Sequence, residues 1–293
     1  MFTKNTRSLL ALTILLALFA LGSACNPKTG DTNSPNANSA APTAAYSPTG
    51  KEGSVSGVVV YVGTPPAPKK IDTSADAVCG QKNPNLETDD NVVKDGKLAN
   101  VFVYVKEGTT ADGKKIAEFT FPTPSTEVVL DQNGCHYVPH VLGLQVNQKL
   151  KITNSDPTQH NIHPQPKNNP DWNQTQAQGA PPLEKSFNRA EVLIPVKCNQ
   201  HPWMKSYIGV MKHPFFAVSK LDGTYEIKGV PPGTYTVVAW HEGGATGTEK
   251  PMQVTVPANG AAKADFSFGT ATAGNKPSLE MMPALDVPMV GRP

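Results

Sequence analysis

Residues 198–204 place three side chains that bind soft and borderline metal ions within one short loop. The loop reads C-N-Q-H-P-W-M, so the thiol of Cys198, the imidazole of His201 and the thioether of Met204 follow one another at intervals of three residues. Copper favours thiolate and thioether ligands, and two histidines, one cysteine and a weak axial methionine form the electron-transfer type of copper site. The loop therefore predicts a copper site that needs one more histidine.

His160 is the candidate for that second histidine. It follows the polar residues 154–159, which end a predicted strand, and loops at one end of a β-sandwich lie close together. His163 is an alternative ligand to His160, because imidazoles three positions apart on an extended chain point to opposite faces. A closed zinc site is another alternative, although structural zinc commonly takes more thiolates and leaves Met204 without a role.

The segment Q-H-N-I-H at residues 159–163 and the loop of residues 198–204 together resemble the plastocyanin class of cupredoxins, and most closely the amicyanins. The resemblance extends over residues 125–212, and it implies a Greek-key β-sandwich that holds one copper ion. The ligands that it implies are His160, Cys198 and His201 in the equatorial plane and Met204 as the weak axial ligand.

The same resemblance gives roles to three neighbours of the ligands. Asn161 is expected to brace the ligand loop by hydrogen bonds, and Pro202, with its fixed φ and missing N–H, to stiffen the loop after His201. Trp203 is expected in an apolar rim near an exposed edge of the histidine, where electrons would enter or leave. Packing alone is the alternative role for Trp203.

Other candidate ligands lack a partner cluster in the sequence. His136, His140, His213 and His241 are interpreted as surface or capping residues. Soft ligands also occur near the C-terminus, at Met281, Met282 and Met289, but these are interpreted as scattered residues of a solvated tail.

The N-terminus predicts export. Lys4 and Arg7 precede an apolar run at residues 9–21 and then the small residues G-S-A before Cys25, which is a signal-peptide pattern too short to span a membrane. It resembles a bacterial lipoprotein signal, which implies lipidation of Cys25 and attachment to the membrane of the cell envelope, periplasmic or outer-surface. Ordinary cleavage after Ala24 is the alternative.

Export makes the four cysteines informative, because thiols tend to pair in an oxidising compartment. If a lipid takes Cys25 and a metal takes Cys198, then Cys79 and Cys135 remain for one disulfide. Two free buried cysteines are the alternative.

The composition favours an all-β fold. Gly and Pro are abundant, at 24 and 28 residues, and turn signals separate short β-branched runs such as residues 54–62 and 100–105. Near the other end, residues 222–235 read D-G-T-Y-E-I-K-G-V-P-P-G-T-Y, which resembles carboxypeptidase regulatory-like domains and implies a small transthyretin-like β-sandwich. Since its two parts flank the middle of the chain, the copper domain is expected to be inserted into this sandwich; two domains in series are the alternative.

These patterns together predict six segments. They are a signal peptide at residues 1–24, a lipidated flexible linker at 25–52, an N-terminal β segment at 53–124, the cupredoxin domain at 125–212, the regulatory-like sandwich at 213–268 and a disordered tail at 269–293.

The net charge and the absence of known enzyme motifs exclude several classes of function. A net charge of +2 without a basic stripe gives no nucleic-acid partner. With 7 histidines and no H-x-H pair, the chain has no trinuclear copper centre, and no motif of a hydrolase or nucleotide-binding enzyme occurs. We therefore expect a non-enzymatic one-electron carrier that serves redox partner proteins. The alternative is a copper-binding or copper-buffering surface module without an electron route; an open-site mononuclear copper enzyme is disfavoured by Met204.

Overall fold

A computed structural model describes residues 44–243 and 247–269. They confirm the all-β prediction, with one short helix, α1 (Ala77–Lys82), and one 3₁₀ turn, Ile116–Glu118. The strands are β1 (Ala44–Ala45), β2 (Gly53–Val62), β3 (Val93–Lys94), β4 (Lys97–Leu98), β5 (Phe102–Thr110), β6 (Phe119–Thr120), β7 (Val128–Gln132), β8 (Tyr137–Val138), β9 (Val141–Gln145), β10 (Leu150–Asn154), β11 (His160–Pro164), β12 (Gln174–Gln176), β13 (Leu183–Lys185), β14 (Glu191–Lys197), β15 (Lys205–Met211), β16 (Phe216–Val218), β17 (Thr224–Val230), β18 (Gly233–His241), β19 (Thr248–Val256), β20 (Ala261–Lys263) and β21 (Phe266–Gly269).

The predicted signal peptide, Cys25 and the C-terminal methionines lie outside the described residues. Within the described ranges, no helix has both the length and the apolar character of a membrane span.

Residues 128–211 form two sheets that face each other. One has the strand order β13-β10-β7-β8 and the other β12-β11-β14-β15-β9. Apolar side chains of both sheets meet in one core, to which Leu130 and Ile152 come from the first sheet and Ile162, Ile194 and Ile208 from the second. Burial alternates along β14 except at a β-bulge between Glu191 and Ile194, where the consecutive residues Leu193 and Ile194 are both buried. We call this part the inner sandwich.

A second pair of sheets is built from strands that precede and strands that follow the inner sandwich in the chain. One sheet has the order β16-β5-β18-β19, and the other has β17-β2-β4-β3 with β20 and β21 also paired to β2. Val55 and Val59 of β2 share a core with Val105 of β5 and Val237 of β18. We call this part the outer sandwich; its likeness to regulatory-like domains and the predicted domain boundaries stay predictions.

A small apolar cluster joins the two sandwiches. Phe102 and Val238 of the outer sandwich pack with Val141 and Met211 of the inner one. Gly209 permits the close approach, because a Cβ atom at this position would lie 2.4 Å from Cζ of Phe102. The absence of one side chain thus lets the aromatic ring rest on the backbone of β15.

The prediction of a flexible linker up to residue 52 is wrong for its last residues. Ala44 and Ala45 pair in parallel with Phe119 and Thr120. Glu52 then accepts hydrogen bonds from the hydroxyl of Tyr46 at 2.7 Å and from backbone N–H groups of the intervening turn. The composition suggested a tether, but the edge of β6 supplies backbone partners for it.

The predicted disulfide between Cys79 and Cys135 is confirmed. It joins α1 to the turn between β7 and β8 of the inner sandwich. Asp76 is the N-cap of helix α1, and its side chain accepts hydrogen bonds from the N–H groups of Val78 and Cys79. The disulfide therefore fixes a segment preceding the inner sandwich onto one end of it.

Candidate metal centre

The loop of residues 198–204 connects β14 to β15 as a closed turn. Cys198 follows the last residue of β14, and Met204 directly precedes β15. The N–H of Met204 donates to the carbonyl oxygen of His201 at 2.9 Å, and the N–H of Cys198 donates to that of Met204 at 3.3 Å. These bonds hold the three predicted loop ligands in one compact unit.

Strand pairing brings His160 to this loop. His160 begins β11, which pairs with β14 through His163 and Lys197 next to Cys198. Nitrogen atoms of His160 and His201 and the sulfur of Cys198 all lie within 4.8 Å of one another. Nδ1 of His201 is 2.9 Å from Nδ1 of His160 and 3.6 Å from Sγ of Cys198.

All four predicted ligands are buried at one end of the inner sandwich. His160 and Met204 are 0% exposed, Cys198 is 1% exposed and His201 is 4% exposed. Met204 packs in the same apolar core as Cys198. The donors therefore face one another in a water-poor environment, where unpaired polar atoms are costly.

The outer nitrogens of both imidazoles meet carboxylates. Nε2 of His160 lies 2.9 Å from Oδ2 of Asp156, and Nε2 of His201 lies 2.9 Å from Oδ2 of Asp76. An ionised carboxylate only accepts hydrogen bonds, so each Nε2 carries the proton, and the Nδ1 lone pairs become available to a metal. Two such lone pairs and a thiolate pointing at one another fit a cation between them.

The pKa of the cysteine in this cluster is lowered and the pKa values of both histidines are raised, so the charged form of each group is favoured. Burial raises the pKa of the Cys198 thiol, but hydrogen bonds from His160 and His201 outweigh it and lower the value to about 6. Burial lowers the pKa of His160, yet Asp156 and Cys198 raise it to about 9. The pKa of His201 is raised, first of all by Cys198. The thiolate form of Cys198 is thus favoured, and this is the form that binds a metal.

Asn161 ties β11 to the ligand loop. Its backbone N–H points at Sγ of Cys198 at 3.5 Å, and its side-chain oxygen accepts from the N–H of Asn199 at 2.7 Å. The side-chain nitrogen donates to Oδ1 of Asn173 at 2.7 Å. These are bonds of the bracing kind that the sequence resemblance implies.

His163, the alternative ligand, points away from the cluster. Its Nδ1 lies 3.1 Å from Oδ1 of Asn199, and its Nε2 lies 3.2 Å from Asp171. The structure places His160, and not His163, with Cys198 and His201.

The prediction that the ligand histidine has an exposed edge is wrong. His201 is buried because Asp76 covers its outer nitrogen. Trp203 packs beside it with its ring tilted by 48° and the ring centroids 5.1 Å apart, and it donates through Nε1 to the carbonyl oxygen of Cys135 at 3.2 Å. Pro202 is exposed at the turn. Trp203 therefore links the loop to the disulfide instead of rimming an open histidine.

Of the four histidines interpreted as surface or capping residues, three are buried and therefore do not lie on the surface. His213 and His241 each accept a nearby backbone N–H through Nδ1, which is the capping role. His140 bonds Glu242 and lies 3.0 Å from Asp89, at the contact between the sandwiches. Among the described residues, none of the three belongs to a group that could hold a metal ion.

Two further groups of potential ligands include the disulfide sulfurs. Asp76 and His201 lie with Cys79, and Asp156 and His160 lie with Cys135. A disulfide sulfur is no thiolate, so these groups are not separate metal sites.

Sequence reasoning missed Asp76 and Asp156. Asp156 stands four positions before His160, a local signal that was available. Asp76 is 125 positions from His201, and only its helix-capping pattern marks it in the sequence.

The chain is similar to several solved copper proteins over about a third of its length. A purple cupredoxin from Nitrosopumilus maritimus is 20% identical over 28% of this chain and 98% of its own, with a TM-score of 0.25. Amicyanin from Paracoccus versutus is 17% identical over 37% of this chain and 96% of its own, with a TM-score of 0.26. A copper-containing nitrite reductase from Thermus scotoductus is 19% identical over 29% of this chain but only 22% of its own, with a TM-score of 0.27. No protein-family model and no curated protein sequence matches the chain.

Proposed function

We propose that this chain is a cupredoxin of the cell envelope that binds one copper ion in a type 1 (blue) site and carries single electrons between redox partner proteins. The proposal is carried by the convergence of His160, Cys198 and His201, whose donor atoms lie within 4.8 Å of one another. Met204, buried in the same core, is the proposed weak axial ligand. Copper in such a donor set supplies one-electron redox chemistry at little cost in ligand movement.

The surrounding residues are suited to hold such a site still. Cys198 and Met204 sit at the ends of two paired strands, and Asn161 fastens the loop between them. Burial excludes water from the donors, which strengthens their interaction with a cation. Ligands that keep one geometry in both oxidation states lower the cost of electron exchange.

The proposal also covers setting and partners. The chain is proposed to be exported, anchored to a membrane through lipid on Cys25, and to act as a carrier and not as an enzyme. Its partners are proposed to be redox proteins and not nucleic acid, in keeping with a net charge of only +2.

The test is to add Cu²⁺ to the purified full-length protein and to record its absorption spectrum and its electrochemistry. We expect the intense blue band of a thiolate bound to copper and a reversible midpoint potential. Cys198→Ser should abolish the band, whereas Gln200→Ser, an exposed change in the same loop, should keep it. A colourless wild-type protein, or a band that persists in Cys198→Ser, would overturn the proposal.

One observation favours a second function, a copper-binding or copper-buffering surface module without an electron route. His201 offers no exposed ring edge to a partner, because Asp76 covers it. The two functions differ in kinetics: a carrier should exchange electrons rapidly with a second redox protein, whereas a buffer should release copper to a chelator and show no reversible potential.

A further inference from the structure

Each candidate histidine ligand contacts a carboxylate through its Nε2 atom, and both carboxylates bond backbone N–H groups next to the Cys79–Cys135 disulfide. Asp76 uses Oδ2 for His201 and Oδ1 for the N–H groups of Val78 and Cys79 in helix α1. Each oxygen of Asp76 therefore has its own task. Its position is fixed by the helix that it caps.

Asp156 holds the other histidine in a related way. Besides His160, it accepts from the N–H groups of Gly134 and Cys135 at 2.7 and 2.8 Å. Lys82 of α1 lies 2.7 Å from its Oδ1. The two carboxylates are thus attached to the two halves of the Cys79–Cys135 disulfide.

Asp76 differs from Asp156 in its origin. Asp156 lies within the inner sandwich, four residues before the histidine that it contacts. Asp76 comes from the segment before the inner sandwich and reaches His201 across 125 positions. Its side chain is 18% exposed, and Thr158 of the inner sandwich donates to it at 3.1 Å. A residue outside the ligand sandwich therefore completes the surroundings of the centre.

We propose that Asp76 is a positioning residue of the metal centre that acts through His201. By accepting the Nε2 proton, it selects the tautomer with a free Nδ1 and fixes the ring orientation that directs Nδ1 to the other donors. Its negative charge also favours the more positive oxidised metal. This inference rests on the proposed copper function.

Two substitutions separate this role from the capping of α1. Asp76→Ser keeps a good N-cap but cannot also reach His201. Asp76→Asn also keeps the cap, but its one oxygen serves the helix and its amide then offers a donor to Nε2, which favours the wrong tautomer. Asp72→Asn is the matched control, since that exposed carboxylate of the same segment accepts hydrogen bonds only from Ser74.

The experiment measures Cu²⁺ affinity, the thiolate-to-copper band, the midpoint potential and urea unfolding of the full-length variants. Loss of a group that orients a metal ligand lowers affinity by about 10- to 100-fold, and we expect Asp76→Asn to lose at least as much as Asp76→Ser. Each tenfold loss of Cu²⁺ affinity relative to Cu⁺ raises the potential by about 59 mV. Asp72→Asn should match wild type in all four measurements.

A second measurement does not need the variants. In the diamagnetic Cu⁺-loaded wild-type protein, the Nε2 proton of His201 should be visible by NMR and exchange slowly with water. Rapid exchange of that proton would overturn the role of Asp76.

Failure of the proposed copper function and failure of the positioning role of Asp76 give different results. A wild-type protein that shows no band and no reversible potential defeats the proposed function itself. A blue wild type with both Asp76 variants unchanged in affinity and potential, or changed only in unfolding, defeats the positioning role alone.

Discussion

Trp203 donates a hydrogen bond through its indole Nε1 to the carbonyl oxygen of Cys135, at 3.2 Å. One residue thus belongs to the ligand loop and the other to the disulfide. Because the indole ring also packs against His201, a change at the disulfide has a direct route to a proposed ligand. The cross-link is therefore part of the construction of the site.

Replacing both Cys79 and Cys135 by Ser should destabilise the protein strongly. The disulfide closes a loop of 56 positions, and the loss of loop-closure entropy from the unfolded chain corresponds to about 4 kcal/mol. Urea unfolding of the double variant and of the oxidised wild type measures the difference. Equal midpoints for the two proteins would contradict the prediction.

Met204→Leu should preserve the blue band but raise the midpoint potential. The two side chains are similar in volume, so the stability cost should stay below about 1.5 kcal/mol. A thioether donor near the metal is lost, which disfavours the electron-poor oxidised state. Met211→Leu, at a buried methionine of the contact between the sandwiches, is the control and should leave the potential unchanged. Identical potentials in all three proteins would argue against an axial role for Met204.

Asn161→Ala should loosen the ligand loop. The substitution removes the acceptor for the N–H of Asn199 and the donor to Asn173, and loss of such bonds costs about 1–3 kcal/mol. Asn173→Ala removes only the second bond and should cost less, with little effect on copper affinity. Unfolding and copper titration of both variants test this. If the two variants behave alike, the bond to Asn199 does not brace the loop.

The charged cluster around His140 should make stability depend on pH. Burial lowers the pKa of His140, but Asp89 and Glu242 outweigh it and raise the value from 6.5 to about 9. Because the folded protein holds the His140 proton more tightly than the unfolded chain does, this proton stabilises the fold. The contribution is about 3 kcal/mol, is fully present below pH 6.5 and is lost as the pH rises through about 9. Lys205, which lies 3.5 Å from Glu242, adds further positive charge, whereas burial lowers the pKa of His136 beside Asp89.

Unfolding free energies of wild type and His140→Gln between pH 6 and 10 measure this contribution by difference. The difference should shrink as the pH rises. His213→Gln is the control. Burial lowers the pKa of His213 to about 4, so above pH 6.5 the unfolding free energy of this variant should change with pH as that of the wild type does. A pH-independent difference between wild type and His140→Gln would refute the role of the cluster.

Local spacing predicted much of the candidate site. Cys198, His201 and Met204 share one loop, and His160 could be predicted from its place after the end of a strand, where loops of a sandwich meet. The cross-link could be predicted because assigning Cys25 to a lipid and Cys198 to a metal leaves only Cys79 and Cys135 to pair. These features depend on near neighbours or on simple counting.

The features that escaped prediction depend on distant packing. Asp76 meets His201 only because the disulfide seats α1 on the end of the inner sandwich. The burial of His140 arises from Asp89 and Glu242, which lie on either side of it in the chain and meet it at a contact that no local pattern encodes. Similarly, Ala44 and Ala45 are ordered by an edge strand more than seventy positions away.

The nested order of strands also bears on how the polypeptide folds while it is being synthesised. Strand β2 pairs with β17, β20 and β21, and the N–H of Val58 bonds Asp265, 207 positions later. The inner sandwich, by contrast, draws all its strands from residues 128–211, and Cys79 has already been made by then. Contacts between distant residues form slowly, because the intervening chain must first be closed into a loop. The inner sandwich can therefore fold and form its disulfide before the last strands of the outer sandwich, β20 and β21, are available to pair with β2.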